Sequence, residues 1–339
     1  MNTLERFTRW KLVLLAIAMT AAWHLASPSS LGSKERELWE KVRSAQTHLA
    51  AWREETGHAS PPGADPWSCG LIGVEWSGAT TTLGDLAAKR TACNPAWAVQ
   101  FLRWFDELGL GPGDRVVIYS SASFPAMLLN AAAAAEMLQL DVFLVVSLGA
   151  STWGANQPGA TWPDLSSELR RAGYLQKRAD FYTLGGEAET GIGMAPEGRA
   201  LLIRAAERAG VGLLQADGLA DMVRLKSELL RERAPVVLVS IGGSHANLGD
   251  DPAVLELPPG LLGGDSAAAA GTGVIAYALG QNIPVIHVLN LKRMAAEHGI
   301  PWDSQPRPRG PSAVRAGWSL AGLLLFFIVV LTHRRWRLV

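Results

Sequence analysis

Three stretches of this 339-residue chain place hydroxyls, in two cases together with glycines, directly after short apolar runs, a composition suited to ligand binding or acyl chemistry. The first, Ser120-Ser121-Ala122-Ser123-Phe124-Pro125, follows the apolar residues 116–119. Its hydroxyls and backbone N–H groups would face the positive end of the next helix, a fit for carboxylate or phosphate. Ser123 can equally serve as a plain N-cap. A nucleophilic role is the third reading, although Phe124-Pro125 fills the space that a Gly-x-Ser-x-Gly elbow leaves empty. The second stretch runs from Ser147 through Ser151, Thr152, Trp153 and Gly154 to Asn156, with the content of a binding loop or of a long ordered cover over a sheet. The third places Gly242, Gly243, Ser244, His245 and Asn247 after another apolar run. Paired glycines let a ligand approach the backbone, and His245 would stand in the mouth of such a site.

A Ser123–His245 pair with an acid such as Asp250 would make a hydrolase or transferase, although no spacing in the sequence shows that they meet. A fourth segment, 73–91, joins Glu75, several threonines and the adjacent cations Lys89 and Arg90. It reads either as an edge strand with a solvated turn or as a binding segment whose Lys89 and Arg90 receive carboxylates. His287 sits inside an apolar run and reads as a satisfied core residue. No Cys/His cluster, His-Glu-x-x-His or Asp-rich calcium loop occurs, so neither a metal nor a cofactor is expected. Gly185-Gly186 and Gly191-x-Gly193 do not make the Gly-x-Gly-x-x-Gly dinucleotide fingerprint.

These loops need rigid elements behind them. Residues 33–55 carry Leu38, Val42, Ala45, Leu49 and Trp52 at helical spacing among charges, as an amphipathic stalk. Asn94-Pro95 opens a helix to about residue 108, and 124–138, 164–172, 196–209, 219–230 and 266–279 read as further helices. Residues 116–119, 142–146, 235–241 and 284–289 read as strands of the fully buried, parallel kind. Strand and helix in alternation predict a doubly wound α/β domain with a mainly parallel sheet.

The apolar content of 48% and mean hydropathy of +0.13 are concentrated at the ends. Residues 12–26 (LVLLAIAMTAAWHLA) and 316–332 (AGWSLAGLLLFFIVVLT) predict an N-terminal and a C-terminal transmembrane helix, the first with a cleaved signal peptide as its rival. Basic residues Arg6, Arg9, Lys11, Arg334, Arg335 and Arg337 abut these runs, which predicts a cell-membrane protein with cytoplasmic termini and an extracytoplasmic central domain. The resulting division is 1–30 anchor, 31–66 stalk helix and linker, 67–305 α/β domain, and 306–339 linker, second anchor and basic tail. The formal net charge is zero, and because the tails are basic the central part is mildly acidic. That composition excludes a nucleic-acid partner, whose binding runs on Lys and Arg. Two cysteines, Cys69 and Cys93, leave a disulfide and a pair of free core thiols equally open.

The strings Gly-Val-Glu-Trp-Ser…Thr-Thr-Thr-Leu-Gly…Ala-Lys-Arg-Thr (73–91), Ser-x-Ser-Phe-Pro (121–125) and Ser-Leu-Gly-Ala-Ser-x-Trp-Gly-Ala-Asn (147–156) together resemble the poly-gamma-glutamate system protein family. The resemblance spans roughly residues 30 to 300. It implies an accessory component of bacterial poly-gamma-glutamate (capsule-type polymer) synthesis and export, and it carries no catalytic roles. The expected partners are the polymer or glutamate-like carboxylates, membrane-embedded synthase or export subunits, and the lipid bilayer. The ligand-binding residues expected are Glu75, Lys89, Arg90, Ser121, Ser151, Asn156, Gly243, Ser244 and Asn247. An acidic domain repels a polyanion at long range, so binding would be local, at loop and helix ends. The alternative is a hydrolase or glutamyl transferase acting on the polymer through Ser123 and His245.

Overall fold

The computed structural model describes residues 31–311, together with 10, 13–15, 17–19, 21 and 322–328. In chain order its elements are α1 (Ser33–Glu55), β1 (Thr80–Thr82), α2 (Leu86–Ala92), α3 (Ala96–Glu107), β2 (Arg115–Ser121), α4 (Pro125–Met137), β3 (Asp141–Ser147) and β4 (Ala150–Ser151). There follow β5 (Asn156–Gln157), β6 (Ala160–Thr161), α5 (Trp162–Arg171), β7 (Phe181–Thr183), α6 (Pro196–Ala209), β8 (Gly212–Leu213), α7 (Leu219–Arg233) and β9 (Val237–Ile241). The last are α8 (His245–Leu248), β10 (Gly260–Leu262), α9 (Val274–Gly280), β11 (Val285–Val288) and α10 (Leu291–Glu297).

The main sheet has seven strands in the order β10-β11-β9-β2-β3-β7-β8. Every neighbouring pair is parallel except β10–β11 at one edge. Its central strands are apolar on both faces, because successive side chains alternate sides and both sides are covered. Val116, Ile118, Leu144, Val146 and Val239 enter one core with α1, α3 and α4. Val117, Tyr119, Val145 and Leu238 enter a second core with α7 and α9. The mainly parallel α/β sheet with helices on both faces is therefore present.

Helix α4 is buried nearly all round, and Ala131 to Ala135 let it lie close to both the sheet and α3. α1 buries Leu38, Val42, Ala45 and Leu49 in the same core, each worth about 1.5–3 kcal/mol when fully buried for the larger side chains. Its Arg53 is also buried: the guanidinium donates to the carbonyls of His58, Gly70 and Ile72 and to Gln157, and its pKa is pushed down to about 10 by burial, with Asp65 opposing. α1 is thus fastened to the chain that follows it. Cys69 and Cys93 are joined as a disulfide, Cα–Cα 6.0 Å, which ties that segment to the start of α3.

Two expectations need correction. The single helix expected over 266–279 is a 3₁₀ segment, Gly264–Ala269, followed by the shorter α9; Gly271 at φ +73° breaks the path between them. The expected membrane helices are not supported either, because among the described residues no helix is long and apolar enough to cross a membrane. The rest of the apolar runs 12–26 and 316–332, and the terminal basic clusters, lie outside the described residues. The predicted arrangement of cytoplasmic termini around an extracytoplasmic domain loses its basis accordingly.

Candidate functional site

The chain leaves β2 toward β3 on one side, and β9 later returns to pair with β2 on the other. That reversal of strand order opens a crevice beyond the carboxyl ends, the usual ligand position in open α/β sheets. A cleft of about 750 Å³ occupies it. The loops after β2, β3, β7 and β9 form its walls, and residues 81–89 close one side. Gly242 has φ +81°, and a Cβ there would lie 3.1 Å from the Ser121 Cβ, so the β9 loop folds tightly onto the end of β2.

Ser121, Ser123, Ser151 and Lys89 make one hydrogen-bonded cluster in this cleft. The Ser121 hydroxyl donates to Ser123 Oγ at 2.9 Å, and its oxygen accepts from the Ser123 N–H at 3.1 Å. Ser123 Oγ also accepts the Ser151 N–H at 2.9 Å. Ser123 is therefore not a plain helix cap: its oxygen takes two donors, which leaves its own proton free to point into the cleft. Lys89 Nζ donates to Ser151 Oγ at 2.7 Å and to the Ser123 carbonyl at 2.6 Å, with the Phe124 ring centroid 3.7 Å away. The residue is 3% exposed, and burial pushes its pKa down to about 7 against a weaker upward pull from Asp85.

The opposite wall rests on a second, fully buried cluster. Glu189 accepts from Lys226 Nζ at 3.0 Å, Thr183 Oγ1 at 2.7 Å, the Ala246 N–H at 3.2 Å and the Ser244 hydroxyl. Burial alone would push the Glu189 carboxyl up; the Lys226 ammonium and the Ser244 and Thr183 hydroxyls together outweigh it and hold it below the usual value. Lys226 also donates to Asn247 Oδ1 at 2.5 Å, and Asn247 Nδ2 reaches the Tyr119 carbonyl and Ser240. His245 Nδ1 accepts the Ala188 N–H at 3.1 Å, which puts the ring proton on Nε2, facing Asp250 Oδ1 at 3.2 Å.

The residues singled out from the sequence therefore divide. Lys89, Ser121, Ser123, Ser151, Gly243, Ser244 and His245 line one cleft. Asn247 lies under its floor, 1% exposed. Arg90 points the other way, donating to the carbonyls of Gly63 and Ala64 and pairing with Asp303 at 3.4 Å. Asn156 is fully buried and spent on both backbone groups of Val74 and on Thr80, so it fixes the β3 loop. Glu75 is exposed and away from the cleft. Ser123 and His245 share the cleft without bonding each other, since both ring nitrogens of His245 are engaged elsewhere. His287 is buried as expected of a core residue, yet neither ring nitrogen has a partner.

Sequence reasoning missed the Ser151–Lys89 contact and the Glu189–Lys226 pair. One signal was available for the second: Met222, Lys226 and Leu230 lie four apart, which puts a lysine on the buried face of α7. Glu189 follows a glycine-rich turn and has no such periodicity. The rim carries Asp85, Glu187, Asp250 and Asp251, so its field is negative, and the apolar side chains of Leu83, Ile192 and Leu255 stand exposed beside them. Among the described residues no three metal-ligating side chains converge. No family model, curated protein or solved structure matches this chain.

Proposed function

We propose that this protein is an accessory component of poly-gamma-glutamate production whose cleft holds a short glutamyl segment of the polymer or its chain end. The observation that carries the binding reading is the cleft itself: about 750 Å³ at the reversal of strand order, lined by Ser121, Ser123, Ser151 and Ser244. Hydroxyls of this kind suit the amide groups that recur along such a chain. The polymer's identity rests on the sequence strings at 73–91, 121–125 and 147–156. Lys89 and Arg90 do not act as carboxylate clamps in this reading, because their donors are already spent inside the protein.

The acidic rim makes a distinctive demand. Four carboxylates repel a long polyanion, so only a short stretch enters, and screening the rim strengthens binding. Calorimetric titration of the full chain with gamma-linked glutamate oligomers of two to ten residues tests this. We expect saturation by short oligomers, weaker binding of free glutamate, and affinity that rises between about 50 and 300 mM salt. Absence of binding, or affinity that falls steeply with salt as for a cationic groove, would refute the reading.

A further inference from the structure

We propose that Ser151 and Lys89 form a nucleophile–base dyad that gives the cleft acyl-transfer activity toward an ester or amide. The proposal depends on the polymer-binding reading only for the identity of the acyl group, which would then be gamma-glutamyl.

Among the described residues two lysines, Lys89 and Lys226, are buried, and the difference between them is informative. Lys226 is matched by Glu189 at 3.0 Å, as a structural buried cation should be. Lys89 is equally enclosed, yet among the described residues no carboxylate forms an ion pair with it. Its partners are a serine hydroxyl, a carbonyl and an aromatic face. An ammonium so placed gives up its proton readily, and burial brings its pKa to about 7. The neutral amine then lies 2.7 Å from the Ser151 oxygen, within the reach required of a general base. Both groups line the cleft, so a substrate carbonyl can approach them.

The surrounding chain preserves this pair. Gly84 crosses directly over it, held by the Thr152 hydroxyl, which accepts the Gly84 N–H at 2.6 Å and donates to its carbonyl at 2.9 Å. A Cβ at Gly84 would fall 2.8 Å from Ser151 Oγ and 3.2 Å from Lys89 Cε, so only glycine leaves the pair undisturbed. Ser123, bonded to the Ser151 N–H, presents its free proton beside the nucleophile as a donor for a developing oxyanion.

The reaction balances with water or an amine as acceptor. Ser151 Oγ attacks the carbonyl carbon while its proton passes to Lys89 Nζ. Collapse of the tetrahedral adduct breaks the C–O or C–N bond, and the leaving alcohol or amine takes the proton from Lys89. Water, or an acceptor amine, then attacks the acyl-serine and gives its proton to Lys89. Ser151 departs as the new leaving group and recovers that proton, which releases the acid or the new amide.

The test treats the full chain with p-nitrophenyl acetate and follows p-nitrophenol release and intact mass, with peptide mapping of the acyl group. We expect one acetyl group on Ser151, formed at a rate that rises about tenfold per pH unit below pH ~7 and levels above it. Ser151→Ala and Lys89→Met should lower that rate at least about 100-fold with the fold intact by circular dichroism. Lys89→Arg keeps hydrogen-bonding capacity but cannot lose a proton, so it should be as inactive; if Lys89 were merely structural, arginine would rescue. Acylation elsewhere than Ser151, a pH-independent rate, or wild-type activity in Lys89→Arg would overturn the dyad. Oligomer binding measured on the wild-type chain separates the two readings. Retained binding with no acylation in the wild type sinks the dyad alone, whereas acylation without oligomer binding sinks the polymer reading alone.

Discussion

Removing either partner of the Glu189–Lys226 pair alone should destabilise the protein at least as much as removing both. The two side chains are 1% and 2% exposed. Lys226→Met leaves a carboxylate in the interior with its hydroxyl donors but no counter-charge, a loss of about 3–5 kcal/mol. It also deprives Asn247 Oδ1 of the ammonium 2.5 Å away, about 1 kcal/mol more. Glu189→Gln strands the Lys226 charge and weakens the bonds from Thr183 and Ser244, for roughly 3 kcal/mol. The double variant Glu189→Gln/Lys226→Met buries no charge and should lose only about 2–3 kcal/mol. The coupling between the sites is then several kcal/mol and favourable. Urea denaturation of the four proteins at neutral pH measures it. Single losses below about 1 kcal/mol, or a double loss equal to the sum within about 0.5 kcal/mol, would refute the argument that these charges depend on each other.

Three further outcomes follow from features already described. His287 is neutral in the fold because burial pushes its pKa from 6.5 down to about 4. Between those values the unfolded chain binds the extra proton, so stability is whole above pH ~6.5 and falls by about 3 kcal/mol as the pH drops to ~4; His287→Met should flatten this dependence in pH-dependent melting and gain about 1 kcal/mol by removing two unpaired ring nitrogens. Opening the Cys69–Cys93 bridge, with its separation of 24 residues, should cost about 3.5 kcal/mol, read as a lower urea midpoint for the Cys69→Ser/Cys93→Ser variant. Gly84→Ala should cost about 1–3 kcal/mol in a urea titration and lower acylation of Ser151 at least about tenfold, because the new methyl meets the Thr152 carbonyl oxygen at 2.9 Å as well as Ser151 Oγ and Lys89 Cε.

The fold was largely readable because its signals are local. Apolar runs such as 142–146 have few homes other than a strand covered on both faces, and Pro196 opens α6 where a proline at the first helical position should. The failures are equally physical. Ser266 to Leu279 looks helical by composition, but Gly271 and Gly273 end one path before another starts. β10 escaped notice because a three-residue edge strand has too little periodicity to detect. For the site, serines and glycines after strands marked the right loops, since composition reports where backbone must be open. Direction was not legible: adjacent Lys89 and Arg90 leave α2 on different sides, one into the cleft and one onto Gly63, Ala64 and Asp303. Only the register of a short helix against two distant loops decides between them.

The strand order also sets when the cleft can come into being. β2 and β3 pair residues 26 apart, as Val116 with Val142, whereas β2 and β9 pair Val116 with Val237. Closing the longer span costs about 1.4 kcal/mol more in chain entropy. We therefore expect β2, α4 and β3 to assemble early and β9 to dock late. A chain halted before β9 would hold Ser121, Ser123, Ser151 and Lys89 without the wall that carries Ser244 and His245. Ligand recognition would then be the last property the folding protein acquires, and stopped-flow refolding should regain binding after most of its secondary structure.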